Sequence, residues 1–467
     1  MNPMALPPDS KHRSESFYLF LVGLPILLLG VLLIVGAVRE QIAASEVRVE
    51  LASLQTAGKP IDDHSMVQWL DERMSREHSG DWMDVIDAAD GLKTQFADLM
   101  REPDRDDNLP EKLVGPGQPW VALPIKRRLV EEAQPIIEAA KGLIQEEGSP
   151  FWQPAMVNGI QTYFPDRYRL RSLVELIADE FRIAVYEDDQ PRAFDALHLI
   201  DGLAGVAAFQ SSIWSQNSKA VFQRDRNFLI RQSLKLAFWS DEAMLERLRD
   251  SLTGPENPEQ RWEESIAMER AMMMGMLGGE EGMPMADEEL HRLLPYGVPA
   301  TSRKHVLASM QEAEQTDVLR LLRSADERNA LDRKYRDQDR NARSSSITAL
   351  PFASLEPLGY PTGVYRNGWF IRSIHILAGD ATDRRWTRTA VAIKLFQLQQ
   401  GHWPEKLDEL TQVGLSPSDW SDDDRPFSYQ VANDGREVYL ANDGRLRFPG
   451  LPPELSQMSD RYALTIR

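Results

Sequence analysis

The stretch IAMERAMMMGMLGGEEGMPM (266–285) gathers Met268, Met272, Met273, Met274, Met276, Met283 and Met285 into one short segment. Thioether sulfur binds Cu(I), and Met272 and Met276 stand four apart, on one side of a helix. The same side chains also fill irregular cores and make adaptable contact surfaces. Core packing is the leading expectation, an exposed partner surface the second and a copper site the third. A second group is made of carboxylates. Asp422, Asp423, Asp424, Asp434 and Asp443 fall in DDDRPFSYQVANDGREVYLANDGRL (422–446). Such oxygens can hold Ca²⁺, whereas Asn-Asp-Gly at 433–435 and 442–444 marks chain reversals with positive φ. Solvated turns of a β-hairpin ladder come first here, with calcium as the alternative. The third group is Asp62, Asp63 and His64 with His78, and its two histidines are too far apart in sequence to define a metal site.

Other chemistry is narrowed by what the chain lacks. Its histidines, at 12, 64, 78, 198, 291, 305, 375 and 402, include no pair spaced three or four apart, so no helix offers a two-histidine metal face. His198 falls in an apolar helical run and reads as a packed residue. There are no cysteines, which removes disulfides, thiolate metal sites and cysteine nucleophiles. No P-loop, dinucleotide-binding glycine pattern, nucleophile elbow or H-E-x-x-H helix occurs. A formal charge of −19 repels nucleic-acid phosphates, so nucleic acid is not an expected partner. With an apolar fraction of 42%, the 467 residues suffice for two or three units with real cores.

The elements that must position these residues begin with FYLFLVGLPILLLGVLLIVGAV, Phe17 to Val38, which carries no charge. As a helix it spans roughly 33 Å, enough to cross a bilayer, and no small-x-small cleavage site follows closely. We expect an uncleaved anchor. Lys11 and Arg13 precede it, and Arg39 and Arg48 follow among Glu40, Glu46 and Glu50. The basic pair in the short N-terminal tail leans towards a cytoplasmic N-terminus.

Beyond the anchor the spacing is helical. Ile125, Leu129, Ala133, Ile137, Ala140 and Ile144 form one stripe, with Pro135 a point of kinking, and Leu170, Val174, Ile177, Phe181 and Val185 form another. EDDQP (187–191) breaks the second stripe, and Phe194, Leu197, Ile200 and Leu203 continue it on a partner helix: a helical hairpin. Ser79 is expected to cap the helix of Trp82, Val85, Ile86 and Leu92, and Ser240 to cap DEAMLERLRDSL. Arg320, Arg323, Arg328, Arg333, Lys334, Arg336, Arg340 and Arg343 alternate with acids, as on a solvated helix with i,i+4 ion pairs.

TAVAIKLFQLQQGHWPEKLDEL (389–410) and RPFSYQVANDGREVYLANDGRL (425–446) form the last module. Gly401, Trp403, Pro404, Leu407, Leu410, Pro426, Tyr429, Val438, Tyr439, Asp443 and Gly444 stand on the pattern of the type II secretion major pseudopilins, and the module resembles their C-terminal globular part. The resemblance implies a helix, a G-x-[YW]-P step, a second short helix and a β-hairpin. SESFYLFLVGLP lacks the family's processed glycine junction and its glutamate within the apolar helix, so pseudopilus assembly is not implied. The family's calcium site would map onto Asp443, although Leu440 and Ala441 replace its usual context. Over roughly 160–447 the chain also looks like single-span helical membrane proteins of planctomycete bacteria, through SLVELIADEFRIAVYEDDQPRAFDALHLIDGLAGV (172–206), SDEAMLERLRDSL (240–252) and SIAMERA (265–271). That likeness implies architecture and no reaction.

The expected fold is mainly α: an N-terminal transmembrane helix, an irregular helical-hairpin domain and a small α+β C-terminal module. Its units are a cytoplasmic tail (1–16), the span (17–38), a helical extracytoplasmic domain (39–380, with a possible sub-boundary at 101–120), the pseudopilin-like module (381–448) and a C-terminal tail (449–467). The expected function is that of an envelope scaffold or interaction protein in the cell membrane, with the membrane and an envelope protein as partners, no catalytic residue and no cofactor beyond the calcium alternative. A hydrolase built from scattered Asp, Glu and His is a further alternative.

Overall fold

The computed structural model describes residues 10–72, 78–100, 113–146, 165–208, 213–254, 258–276, 300–324, 326–334, 370–422, 425–432, 435–441 and 463–467. The chain is mainly helical with a small antiparallel sheet near its C-terminus. Helix α1 (Ser10–Thr56) is continuous over 47 residues, about 70 Å at the usual rise. Among the described residues one helix is long and apolar enough to cross a membrane, and it is this one. From Gly23 to Ile42 it carries its apolar side chains outward, with Ile26, Leu27 and Ile34 about two-thirds exposed at 65%, 64% and 65%. Its second half changes character: Ala43, Val47, Leu51 and Leu54 recur at helical spacing and are buried.

Helices α2 (Asp63–Asp71), α3 (Ser79–Met100), α4 (Leu123–Gln145), α5 (Pro165–Tyr186), α6 (Gln190–Ala208), α7 (Ile213–Lys235), α8 (Glu242–Ser251) and α9 (Pro258–Met276) follow. The expected hairpin is α5 and α6: all five stripe residues of α5 and all four of α6 are buried. Its turn sets Asp188 at φ 59°, a left-handed conformation that aspartate tolerates. Arg192 clamps the turn by a fork onto Glu180 at 2.6 and 2.8 Å. α4 continues as a helix through Pro135.

Two caps differ from expectation. α8 is capped by Asp241, whose carboxylate accepts the Met244 amide at 3.0 Å, while Ser240 bonds Gln190. α3 starts at Ser79 itself, so that residue lies inside the first turn.

Helices α10 (Ala300–Glu314), α11 (Val318–Arg323) and α12 (Phe370–Gln400) follow, with a further helical segment at 326–334. α12 runs unbroken through residue 380, along α7. Asn217 bonds Ser373, Asn227 bonds Asp383 and Arg231 bonds Thr387, always 156 positions apart, so the two helices run parallel in fixed register. α12 stops at Gly401 (φ 75°), and after Trp403-Pro404 the 3₁₀ helix η1 (Leu407–Val413) ends on Gly414 at φ 81°. Two-residue strands β1 (Ser421–Asp422) and β2 (Arg425–Pro426) pair, and β3 (Ser428–Val431) pairs with β4 (Val438–Ala441) in the expected hairpin, Tyr429 facing Leu440 and Val431 facing Val438. The segment expected as a tail ends in a third strand, β5 (Ala463–Ile466), antiparallel to β4. One core contains Trp82 of α3, Phe181 of α5, Trp386 and Phe396 of α12, Leu410 of η1, and Leu464 and Ile466 of β5.

Candidate functional site

The methionine stretch resolves into packing. α9 is buried on several sides, and its methionines divide among three apolar clusters. Met273 meets Val306, Met310 and Leu321. Met268 and Met272 meet Met66 and Leu70, and Met274 meets Val47, Leu51 and Leu307. Flexible thioethers suit a helix that must fill gaps in different directions. The side chain of Met276, and Met283 and Met285, lie outside what is described. So do the side chains of all five aspartates considered for calcium.

Asp62 is a helix cap: it accepts the Ser65 amide at 2.7 Å and Ser65 answers the Asp62 amide at 3.0 Å, a reciprocal box at the start of α2. His198, expected to be packed, is exposed. Its ring stacks on Phe194 with centroids 6.5 Å apart. His78 stands at a groove of about 340 Å³ between α3 and α4, lined in part by Asp81, Asp84 and Glu146. Its Nδ1 is 3.3 Å from Asp81 and its Nε2 3.7 Å from Glu146. Among the described residues no three His, Asp or Glu side chains are placed to hold a metal ion. Within the basic stretch the expected single helix ends at Arg323. Arg320 pairs with Glu327 and Lys334 with Glu312, 7 and 22 positions apart, so ion pairs form but not at the expected i,i+4 spacing. Arg328 instead turns inward and donates to the Leu321 carbonyl at 2.7 Å.

Two arrangements stand out. The first is the junction between the apolar helix and the folded domain. Two residues beyond the apolar run 17–38, Glu40 accepts hydrogen bonds from the Ala300 and Thr301 amides and the Thr301 hydroxyl, the last at 2.6 Å. It thereby satisfies the open start of α10 from another helix. Lys304 of α10 pairs with Glu46. At the far end Glu314 takes Lys59 and, at 2.8 Å, the buried Arg270 of α9. Burial pushes the Glu314 carboxyl up, but the hydrogen bonds from Lys59 and Arg270 outweigh it and hold it below the ordinary value.

The second is a polar seam inside the helices. Asp383 accepts Asn227 at 2.9 Å and Arg231 at 2.8 Å, and the Arg231 guanidinium lies 4.5 Å from the Trp386 ring centroid. One turn away, Arg384 pairs with Asp380 at 3.0 Å and Arg226 with Asp201 at 3.3 Å. Lys219 and Arg261 stand beside these pairs. Burial above all, with Asp383 adding, lifts the Asp380 carboxyl to about 6 against the pull of Arg384 and Lys219. Burial, then Arg261 and Arg384, lowers the Lys219 ammonium to about 8. These groups come from α6, α7, α9 and α12, which hides the set from local motif reading. The sequence signal that exists is the polar spacing within α7 (Lys219, Gln223, Arg226, Asn227) and α12 (Asp380, Asp383, Arg384, Thr387).

No family model, curated protein or solved structure matches the chain.

Proposed function

We propose that the chain is a single-span membrane protein whose helical domain stands on the extracytoplasmic side of the cell membrane as a scaffold for envelope proteins. The observation that carries this reading is the continuity of α1. Its apolar, outward-facing half passes without a linker into a half packed on α9 and α10. A flexible tether would leave a domain free to search. A helix locked by Glu40 and Glu46, with Lys59 just past its end, instead fixes its height and angle, as an assembly platform requires. The pseudopilin-like end supports a place near secretion machinery, and the basic tail before the span supports the cytoplasmic N-terminus.

Site-specific photo-crosslinkers on exposed positions of the full-length protein, in its native membrane, test the scaffold reading. A small, reproducible set of envelope proteins, lost when the exposed face is altered, is the expected result. Recovery of the uncrosslinked chain alone from every position would refute it. A reporter fused after Arg467 tests the orientation separately, since activity confined to the cytoplasm reverses it.

A further inference from the structure

We infer that Lys219 and Arg261, backed by Arg226 and Arg384, form a binding site for a soluble tetrahedral oxyanion such as phosphate or a phosphate ester. The four cations come from α7, α9 and α12 and meet two carboxylates, Asp201 and Asp380, that act on Lys219. Each carboxylate is already engaged, Asp201 by Arg226 at 3.3 Å and Asp380 by Arg384 at 3.0 Å. Lys219 and Arg261 have no ion pair and no side-chain hydrogen bond among the described residues. The cluster therefore holds a surplus of two positive charges, in a protein whose formal charge is −19.

Like charges in excess are costly in a partly buried place, and the lowered Lys219 pKa reflects burial first and then Arg261 and Arg384, which Asp380 and Asp201 only partly offset. A dianion would neutralise the surplus and strengthen every contact it made. Unused donor capacity is also present: the Nε of Arg226, a residue only 2% exposed, has no partner. Arg261 lies in the first turn of α9, the positive end of a 19-residue helix. The cluster reaches the surface at the partly exposed Lys219 and Arg261 and at the exposed Gly254, where an added Cβ would stand 3.8 Å from Arg384 Nη1. Ammonium and guanidinium together suit the several oxygens of a phosphate.

The source of the anion follows from the proposed membrane placement. Trp262 donates to the Ala313 carbonyl at 3.0 Å, which sets the start of α9 at the end of α10 opposite the one Glu40 holds. α10 has 15 residues, so that separation is about 21 Å. A lipid headgroup does not reach that far, and a soluble anion does.

The test uses the full-length protein in phosphatidylcholine nanodiscs, with titration calorimetry and thermal melts in potassium phosphate against potassium chloride of equal ionic strength. Saturable heat and a rise in Tm with phosphate alone are expected. The double variant K219M/R261Q is expected to bind roughly a hundredfold more weakly, about tenfold for each charge-assisted contact removed. Because neither side chain has a partner to lose, the variant should melt at or above the wild-type temperature without phosphate. An equal response to chloride, or none, overturns the site, as does a double variant that binds unchanged. A double variant that melts lower without phosphate overturns the premise that the two cations are unpaired. Competition by phosphatidylglycerol added to the nanodiscs overturns the soluble source.

Discussion

Asp380 is buried without matching chemistry: one carboxylate oxygen takes Arg384 at 3.0 Å and the other has no partner. Its pKa of about 6, against 3.8 as the ordinary value, means that between those pH values the folded chain binds the extra proton. Stability from this group is therefore gained as pH falls through 6 towards 4, and the cost of ionisation is present above 6, of order 3 kcal/mol at most. In D380N that dependence should vanish, so the Tm of the wild type relative to D380N should rise from pH 6 to pH 4; parallel curves would disprove the assignment. Lys219 has the opposite sign in another window. Its folded pKa of about 8 lies below the ordinary 10.5, so the unfolded chain holds the proton more tightly and stability is gained as pH rises from 8 to 10.5. Melts of K219M beside the wild type should show the wild type recovering ground across that range. These residues were illegible in the sequence because each is unremarkable alone and their neighbours lie in other elements. His198 shows the converse: its place in an apolar helical run suggests burial, but it falls on the outer face of α6, over Phe194.

Among elements, the amphipathic ones were readable and the polar ones were not. The stripes of α4, α5 and α6 follow from spacing alone, as does the β3–β4 hairpin from its alternating Tyr429, Val431, Val438 and Leu440. α7 and α12 set Asn, Asp, Arg and Thr between them, and a ladder of hydrogen bonds joins the two helices beside buried apolar residues such as Leu229, Ile230, Val391 and Phe396. α10 depends on α1 for its start, since the Ala300 and Thr301 amides are met by Glu40. Glu40→Ala removes a cap supplied from another helix, and the expected loss is about 1–2 kcal/mol. Amide exchange in the first turn of α10 should speed up more than in α5 or α6, where no contact changes. Uniform exchange throughout would show that Glu40 does not secure the junction.

For the whole molecule, the apolar span was visible because it needs only composition and length, whereas the closure of the core was not. ALTI reads as a short tail, and only its pairing with β4, hundreds of residues from the α5 it shares a core with, makes it structural. Leu464 and Ile466 are 1% and 0% exposed, and the Arg467 amide reaches the Leu234 carbonyl of α7 at 3.4 Å. The last strand thus joins the sheet to the helices, and α12 carries the same core from α7 to η1. Sheet and helices sharing one core should unfold in one transition. Truncation after residue 462 removes two buried aliphatic side chains worth about 1.5–3 kcal/mol each and leaves the edge of β4 unpaired. Melting followed by helix ellipticity and by Trp fluorescence should show one transition in the intact chain, shifted down as a unit in the truncated one, because Trp82, Trp239, Trp386 and Trp420 report from both regions of that core. A helical transition that keeps its original midpoint after truncation would instead make the C-terminal module a separate folding unit.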